Sequence, residues 1–317
     1  MKKYNNIGII GSGAWGTTLG LVSIRAGLNP LIWAYEADVA KEINQNHINP
    51  YLTGIDLSPK LSATTQLSNF SKMDVLLFTT PSQYLRGVCI ELNKHISNIP
   101  IVLCAKGIEK NSGKLLSEVV FDIIPRSSLG ILSGPTLANE VAQGLPAAVT
   151  LASKDSSLVD NLSHSLGTPT FRPYKSSDVI GAQIGGAMKN VLAIACGIVT
   201  GKGLGDSARA ALISRGMTEM LRLGLALGGK RETLMGLSGL GDLVLTCSSI
   251  DSRNMSLGLA LGKGQKLEDI LGSRNSIAEG LETSAAIKML SERISIEMPI
   301  SSAVNSILHN NIPIDEA

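Results

Sequence analysis

One short segment, Gly11-Ser12-Gly13-Ala14-Trp15-Gly16, constrains the fold of this chain more than any other. An apolar run at residues 5–10 precedes it, and small and apolar residues with helical spacing follow it to about Arg25. A G-x-G-x-x-G turn between a strand and a helix is typical of a dinucleotide-binding unit. Its first glycine permits the tight turn, its second lets the backbone approach a pyrophosphate, and its third lets the helix pack closely on the strand. The segment therefore predicts nucleotide binding, and the alternative is a glycine-rich turn without a ligand.

Strand-like and helix-like segments alternate through the first half of the chain. Continuously apolar strands with helices between them are typical of a parallel sheet that is covered on both faces. The later predicted strands are residues 30–35, 74–79, 101–105, 129–132 and 147–152, and the predicted helices after the first are residues 36–46, 82–97 and 112–124.

The pattern changes near Tyr174. From Asp178 to about Leu308 the apolar residues recur with helical spacing, and no segment is a convincing strand. A chain of 317 residues is also long enough for about two domains. We therefore predict an α/β Rossmann-type domain with a mostly parallel sheet at residues 1–175, and an all-α C-terminal domain at residues 176–317.

The composition argues against nucleic-acid and membrane partners. Lysine and arginine number 28, aspartate and glutamate number 26, and only 3% of residues are aromatic. Duplex-binding and membrane-binding surfaces need an excess of positive charge, and single-strand binders stack bases on aromatic side chains. Lys2 and Lys3 precede an uncharged stretch that is similar to a signal peptide, but its regularly spaced glycines favour a strand and turn. No other stretch has ~18 continuous apolar residues, so we expect no integral membrane segment.

The cysteines and histidines predict neither a disulfide framework nor a metal site. The cysteines lie in no C-x-x-C pair and have apolar or small neighbours, which is typical of free, buried thiols in a reducing compartment. We therefore expect a cytoplasmic protein, with one disulfide pair as the alternative. The four histidines are scattered without a second ligand at helical spacing, so we expect no metal.

The end of the second predicted strand bears on the choice between NAD and NADP. An acidic residue about 20 positions after the fingerprint binds the ribose 2′-hydroxyl of NAD, whereas an arginine accommodates the 2′-phosphate of NADP. The expected position is Ala34, and Glu36 follows two residues later. No arginine stands there, so the residues leave the choice open.

Lys189 is the only charged residue between Asp178 and Lys202. Its helical neighbours include Gly185 and Gly186, which would leave room for a ligand beside it. Burial of its ammonium would lower the pKa, as a general acid or base requires. The alternative is a lysine that reaches the surface or pairs with an acid.

A second polar cluster lies further along the helical half. Asp242 and Thr246 are four residues apart, so they share one helix face. Ser252 is a natural N-cap, which places Arg253 in a first turn, where a cation is unfavourable unless an anion binds. A phosphate held by Arg253, Asn254 and backbone N–H groups would supply that anion. The alternative is an exposed helix start with an ordinary arginine.

Together these segments resemble the NAD(P)-dependent glycerol-3-phosphate dehydrogenase family, bacterial type. The resemblance covers about residues 7–300 and is highly specific, because its seven stretches follow the family's order. It implies the reversible reduction of dihydroxyacetone phosphate to sn-glycerol 3-phosphate with NAD or NADP, which supplies glycerophospholipid synthesis. The matching stretches are Gly11-Ser12-Gly13-Ala14-Trp15-Gly16, Ala105-Lys106-Gly107, Ser133-Gly134-Pro135-Thr136, Gly185-Gly186-Ala187-Met188-Lys189-Asn190-Val191, Gly239-Leu240-Gly241-Asp242-Leu243, Ser252-Arg253-Asn254 and Ala278-Glu279-Gly280.

The resemblance implies that Lys189 protonates the C2 alkoxide as hydride arrives. Lys106 would be a second cation beside substrate and cofactor, and Asp242 would orient Lys189 or bind a substrate hydroxyl. Thr246 is a weaker candidate on the same face. The implied substrate-binding residues are Lys106, Gly134, Thr136, Lys189, Asp242, Ser252, Arg253 and Asn254.

The resemblance also implies a set of cofactor contacts. At position 35 many family members carry a basic residue or histidine, so Tyr35 weakens the expectation of a strong NADP preference. The implied cofactor-binding residues are Gly11, Gly13, Ala14, Trp15, Gly16, Tyr35, Lys106, Ala138, Arg253, Ile277 and Glu279.

Two other functions remain as alternatives. Another two-domain Rossmann dehydrogenase, acting on a different phosphorylated or acidic hydroxy compound, would share the fingerprint and often a catalytic lysine. A nicotinamide-sensing regulator would carry a basic or nucleic-acid-binding face, which the charge balance does not offer. The apolar helical half favours a homodimer.

Overall fold

The computed structural model describes residues 3–272 and 278–317. The chain divides into two compact units, and the first consists of Met1–Ala105 and Ser117–Val179. The second consists of Lys106–Leu116 and Ile180–Ala317. The short arm Lys106–Leu116 therefore belongs to the second unit, although the residues on both sides of it belong to the first.

The first unit is built on one eight-stranded sheet with the strand order β3-β2-β1-β4-β5-β6-β7-β8. Neighbouring strands are parallel except β6 and β7, which are antiparallel. The strands are β1 (Asn6–Ile10), β2 (Asn29–Trp33), β3 (Ser62–Thr64), β4 (Val75–Phe78), β5 (Ile101–Leu103), β6 (Leu129–Ser133), β7 (Ala147–Ser153) and β8 (Phe171–Ser176). The predicted mostly parallel α/β fold is confirmed. Because β1 lies between β2 and β4, the strand order reverses at β1, which is where open α/β sheets bind ligands.

Helices flank this sheet because its central strands are apolar on both faces. All residues of β4 and β5 are buried, so neither face of those strands can meet water. The helices of this part of the chain are α1 (Ala14–Arg25), α2 (Ala37–Lys41), α3 (Leu85–Asn93), α4 (Leu116–Ile123), α5 (Ala138–Ala142) and α6 (Ser156–Leu166).

Several predicted element boundaries are wrong. The helix expected at residues 36–46 ends its α-helical part at Lys41 and continues as a π-helical turn. The helix expected at residues 82–97 starts with a 3-10 turn, Ser82–Tyr84, and its α-helical part is Leu85–Asn93. The helix expected from residue 112 begins at Leu116, because a turn comes first. The sequence also does not predict β3, β8, α5 or α6.

The second unit is helical, as the sequence predicts. Its helices are α7 (Val179–Gly201), α8 (Asp206–Ala226), α9 (Arg231–Leu234), α10 (Asp242–Ser248), α11 (Arg253–Gly262), α12 (Leu267–Gly272), α13 (Glu279–Arg293) and α14 (Pro299–His309). Among its described residues, the only β pairing is an isolated bridge between Ile108 and Leu115. A π-helical turn, Leu237–Gly241, leads directly into α10.

The long helix α7 forms the centre of this unit. Its residues from Gly181 to Ile198 are all buried, which is typical of a helix surrounded by protein. Within the described residues, α7 is the one helix long and apolar enough to cross a membrane, and most of it is buried inside the unit. The bent pair formed by segments 231–248 and 253–262 meets the same length and composition test only when both are counted together.

Glycines bring α7 and α11 into backbone contact. A Cβ atom at Gly197 would lie 2.2 Å from the Met255 carbonyl oxygen, and one at Gly258 would lie 2.0 Å from the Ile194 carbonyl oxygen. Since neither backbone can move aside cheaply, these positions require glycine. The contact fixes the start of α11 against α7.

The four cysteines are all buried, and none forms a disulfide. The prediction of free, buried thiols is confirmed.

Candidate functional site

The fingerprint turn has the geometry that the sequence predicts. Gly11 has φ of +126°, which favours glycine, and a Cβ atom at Gly16 would lie 2.1 Å from the Gly11 carbonyl oxygen. A Cβ atom at Gly13 would meet nothing within 4 Å. The first glycine therefore makes the turn, the third allows close packing, and the second faces open space through which a ligand can approach the backbone.

The start of α1 suits an anionic ligand. Its N-cap is Gly13, so no side chain caps the N–H groups of the first turn. The indole Nε1 of Trp15 is buried and has no hydrogen-bond partner among the described residues. Unsatisfied donors at a helix N-terminus match the pyrophosphate of a dinucleotide. The residues present thus fit the cofactor that the fingerprint predicts.

Two further predicted contacts lie in the same unit. The Thr18 hydroxyl donates to the carbonyl oxygens of Ala14 (2.8 Å) and Ala138 (3.1 Å), so Ala138 lies beside the fingerprint helix. Gly134 follows the end of β6, and a Cβ atom there would lie 2.9 Å from Val149 Cα. Gly134 is therefore required by packing against β7, whatever its role toward a ligand.

Tyr35 follows β2 and is 82% exposed. Its ring meets Trp33 edge-on, with the ring centroids 6.3 Å apart. The side chain is thus open to a ligand at the end of the strand, as the cofactor contact implied by the family resemblance requires.

The second unit contains a buried cluster of two lysines around one carboxylate. Lys189 Nζ lies 2.5 Å from Asp242 Oδ1, and Lys106 Nζ lies 2.6 Å from Asp242 Oδ2. Lys189 Nζ also donates to Thr246 Oγ1 at 2.9 Å. The Asp242 side chain is fully buried, whereas the Lys189 and Lys106 side chains are 9% and 15% exposed. One carboxylate therefore orients two cations, and the cluster carries a net positive charge toward any ligand that reaches it.

The environment of Lys189 lowers the pKa of its ammonium group, so that the group gives up its proton more readily. Burial lowers the pKa from 10.5 to about 8, and the positive charge of Lys106 acts in the same direction. The negative charge of Asp242 opposes both effects. A pKa near the working pH is what a general acid and base requires. Lys189 is thus paired with an acid, the alternative left open by the sequence, and this pairing is compatible with proton transfer.

Contrary to the prediction from the sequence, Gly185 does not leave room for a ligand beside Lys189 but allows two backbone segments to pack closely. A Cβ atom at Gly185 would lie 2.2 Å from the Ser238 carbonyl oxygen, so backbone fills the space expected for a ligand. This close approach brings the turn Leu237–Gly241 against α7. Because Asp242 follows that turn directly, the small residue places the carboxylate beside Lys189.

A chain of buried amide hydrogen bonds, which the sequence does not predict, joins four elements: the arm Lys106–Leu116, α7, α11 and α13. Asn190 Nδ2 donates to the Lys106 carbonyl oxygen at 3.0 Å, which holds the arm Lys106–Leu116 on α7. Asn254 Nδ2 donates to Asn190 Oδ1 at 2.9 Å, and Gly280 N donates to Asn254 Oδ1 at 2.9 Å. The one sign of this network in the sequence is Asn190, an amide next to Lys189 within an apolar helix. These hydrogen bonds hold Lys106, Lys189 and the start of α11 in fixed positions relative to one another.

The start of α11 matches its prediction. Ser252 is the N-cap, and its hydroxyl accepts from Met255 N at 3.2 Å. Arg253 occupies the first turn, and Asn254 is buried. Glu279 is the first residue of α13. Ile277, another predicted cofactor contact, lies outside the described residues.

Comparison with known proteins identifies relatives along the whole chain. Residues 6–159 match the family model for the N-terminus of NAD-dependent glycerol-3-phosphate dehydrogenase, and residues 178–317 match the model for its C-terminus. The glycerol-3-phosphate dehydrogenase [NAD(P)+] of Parvibaculum lavamentivorans is 51% identical over 99% of this chain and 95% of its own length. That of Maricaulis maris is also 51% identical, over 100% and 96%. The crystal structure of glycerol-3-phosphate dehydrogenase from Coxiella burnetii superposes with a TM-score of 0.95 at 40% identity, covering 99% of this chain and 97% of that one.

Proposed function

Because the chain belongs to the NAD-dependent glycerol-3-phosphate dehydrogenase family, we propose that it catalyses the reversible, NAD(P)H-dependent reduction of dihydroxyacetone phosphate to sn-glycerol 3-phosphate. The observation that carries the proposal is the buried Lys189 ammonium, held by Asp242 and Thr246 with its pKa lowered to about 8. The product of the reaction, sn-glycerol 3-phosphate, is the backbone of glycerophospholipids, so the enzyme supplies their synthesis.

The substrate phosphate binds at the start of α11. Ser252, Arg253 and Asn254 stand there, and an anion relieves the unfavourable placement of Arg253 in a first turn. The phosphate group is remote from the reacting carbon, so its binding energy serves to position the carbonyl for reaction.

Lys189 then donates a proton to the C2 oxygen. When bound, the reduced nicotinamide supplies the hydride that forms the new C–H bond at C2. The carbonyl becomes a secondary alcohol, and Lys189 is left as a neutral amine that takes a proton from water. Lys106 stabilises the negative charge that develops on the oxygen, because its ammonium is fixed beside the same carboxylate. In the reverse direction neutral Lys189 accepts the hydroxyl proton.

The remaining residue assignments belong to the same proposal. Gly134 and Thr136 are proposed substrate contacts, and Ala138 and Glu279 are proposed cofactor contacts. Residues 1–175 and 176–317 are the proposed dinucleotide-binding and substrate-binding regions. The position of Ala138 beside the fingerprint helix supports its assignment as a cofactor contact.

We further propose a cytoplasmic homodimer. The buried free thiols support a reducing compartment. Single large apolar side chains of the helical half are exposed, among them Leu204 (59%) and Leu225 (41%), which supports self-association. Sedimentation equilibrium of the purified chain tests the dimer, and a monomer at all concentrations would exclude it.

A substrate panel tests the reaction itself. Oxidation of NADH and NADPH is followed with dihydroxyacetone phosphate, unphosphorylated dihydroxyacetone and a set of 2-oxo acids. Turnover should be far faster with the phosphorylated ketone. Turnover of a 2-oxo acid alone would instead support a different Rossmann dehydrogenase.

A further inference from the structure

We infer that Glu36, held in place by Tyr51, makes NADH the preferred cofactor of this chain over NADPH. The inference rests on the proposed function, because it specifies which of the two dinucleotides binds better at the fingerprint turn of the first unit. It is carried by a connected set of hydrogen bonds that runs from the fingerprint turn to the Glu36 carboxylate.

The first link fixes the carboxylate. Tyr51 Oη donates to Glu36 Oε1 at 2.9 Å. The same hydrogen bond raises the pKa of the Tyr51 hydroxyl above its ordinary value of 10.0, which keeps it a donor at neutral pH. Glu36 is exposed, so without this partner its side chain would sample many rotamers. One oxygen is thereby held, and the other is left to accept from a ligand.

The second link ties Tyr51 to the fingerprint turn. Tyr51 N donates to Asn49 Oδ1 at 2.9 Å, and Asn49 Nδ2 donates to the Ser12 carbonyl oxygen at 2.8 Å. Asn49 Nδ2 also donates to Thr17 Oγ1 at 2.7 Å. Asn49 is only 2% exposed, so these bonds are shielded from water. The position of Glu36 is therefore coupled to the turn that receives the pyrophosphate.

The sheet places Glu36 on the ribose side of that turn. Ile10 pairs with Trp33 in parallel register, and Gly11 N donates to the Trp33 carbonyl oxygen at 3.1 Å. Ala34, where an acid is expected, is buried and pairs its N–H with the Thr64 carbonyl oxygen. The first side chain with a carboxylate beyond β2 is thus Glu36, the N-cap residue of α2. An acid at the end of this strand binds the ribose hydroxyls of NAD.

Local charge opposes a 2′-phosphate. Between Arg25 and Lys60 the sequence holds a single lysine or arginine, Lys41, which lies in the last turn of α2. Asp38, in the first turn of the same helix, is two residues from Glu36, so the two carboxylates do not share a helix face. A phosphate with two negative charges would face the Glu36 carboxylate without an arginine from this stretch, whereas a ribose hydroxyl would donate to Glu36.

Direct binding measurements test the inference. The two tryptophans of the chain, Trp15 and Trp33, lie in the fingerprint turn and at the end of β2, so quenching of their fluorescence reports cofactor binding without turnover. The dissociation constants of NADH and NADPH are measured on the full chain, on Glu36→Gln and on Tyr51→Phe. Asp38→Asn is the matched control, because it removes an exposed acid of the same helix turn.

We expect the wild-type chain to bind NADH at least ~10-fold more tightly than NADPH, a ratio worth about 1.4 kcal/mol. Glu36→Gln should bring the two constants within about threefold of each other, Tyr51→Phe should give an intermediate ratio, and Asp38→Asn should keep the wild-type ratio. Equal or tighter binding of NADPH by the wild type would overturn the inference. An equal effect of Asp38→Asn would also overturn it, because general charge rather than Glu36 would then decide. Binding of neither cofactor would contradict the proposed function instead.

Discussion

At the scale of single residues, the proposed chemistry depends on one carboxylate that binds two cations. Asp242 is fully buried, and each of its oxygens accepts from a different lysine, Lys189 and Lys106. The shared carboxylate holds two positive charges close together, although without it they would repel each other. Removal of either lysine should therefore give a distinct result.

Lys189→Met should remove the proton donor and keep the cofactor site. The turnover number should fall by ~10²–10⁴-fold, the range found for positioned general acids. The fingerprint turn belongs to the other unit, so the dissociation constant of the reduced cofactor should change little. Stopped-flow single turnovers and fluorescence titration measure the two quantities. Near-normal turnover would remove Lys189 from the role of general acid.

The pH dependence should follow the pKa of Lys189. Reduction needs the ammonium form, so kcat/KM for dihydroxyacetone phosphate should fall as pH rises above about 8. Lys106 lowers the pKa of Lys189, so Lys106→Met should move this decline to higher pH, besides lowering the rate. Lys110→Met is the control, because Lys110 lies on the same arm and pairs with Glu282 at 2.6 Å. A decline at the same pH in all three proteins would show that another group titrates.

At the scale of elements, glycines set the distances on which the site depends. Gly185 admits the turn Leu237–Gly241 against α7, and the glycines between α7 and α11 admit the start of α11, where we propose that the substrate phosphate binds. In these contacts backbone packs against backbone. A methyl group added at one of these glycines would therefore displace a whole helix or turn rather than one side chain.

Gly185→Ala should displace Asp242 from Lys189. The added Cβ would lie 2.2 Å from the Ser238 carbonyl oxygen, so the turn must shift, at a cost of about 1–3 kcal/mol in the free energy of unfolding. Turnover should fall more than substrate affinity, because the pair that tunes the proton donor is disturbed. Gly87→Ala in α3 is the control, since its Cβ would meet nothing within 4 Å and alanine favours a helix. Unchanged stability and turnover in Gly185→Ala would show that the turn adapts freely.

At the scale of the whole molecule, periodicity alone predicts the division into an α/β half and a helical half. The short strand β3 has three residues, and β8 is half-exposed and contains Pro173, so neither carries the signal of a buried strand. The shared face of Asp242 and Thr246 also follows from local spacing, whereas spacing leaves open whether Lys189 is buried or reaches the surface.

The long-range partners could not be predicted in this way. Lys106 and Asp242 are 136 residues apart in sequence, and nothing near Lys106 marks the arm as part of the second unit. Asn190 and Asn254 are 64 residues apart, and their bond depends on close packing of α7 and α11. Such contacts are properties of tertiary packing, which single-sequence patterns do not contain.

The burial of Lys189 should also be visible in the stability of the whole molecule. Its pKa is about 8 in the folded chain against 10.5 when exposed, so between these values the unfolded chain binds more protons. The free energy of unfolding therefore gains a term that rises with pH across this window, by up to about 1.4 kcal/mol per pH unit. Lys189→Met lacks this pH-dependent term. The free energy of unfolding of the wild type minus that of the variant, both measured in urea, should therefore increase from pH 8 to 10.5. Lys263→Met, which removes an exposed ammonium, is the matched control. A difference for Lys189→Met that stays flat, or that shrinks as pH rises, would mean that the folded chain does not hold Lys189 with a lowered pKa.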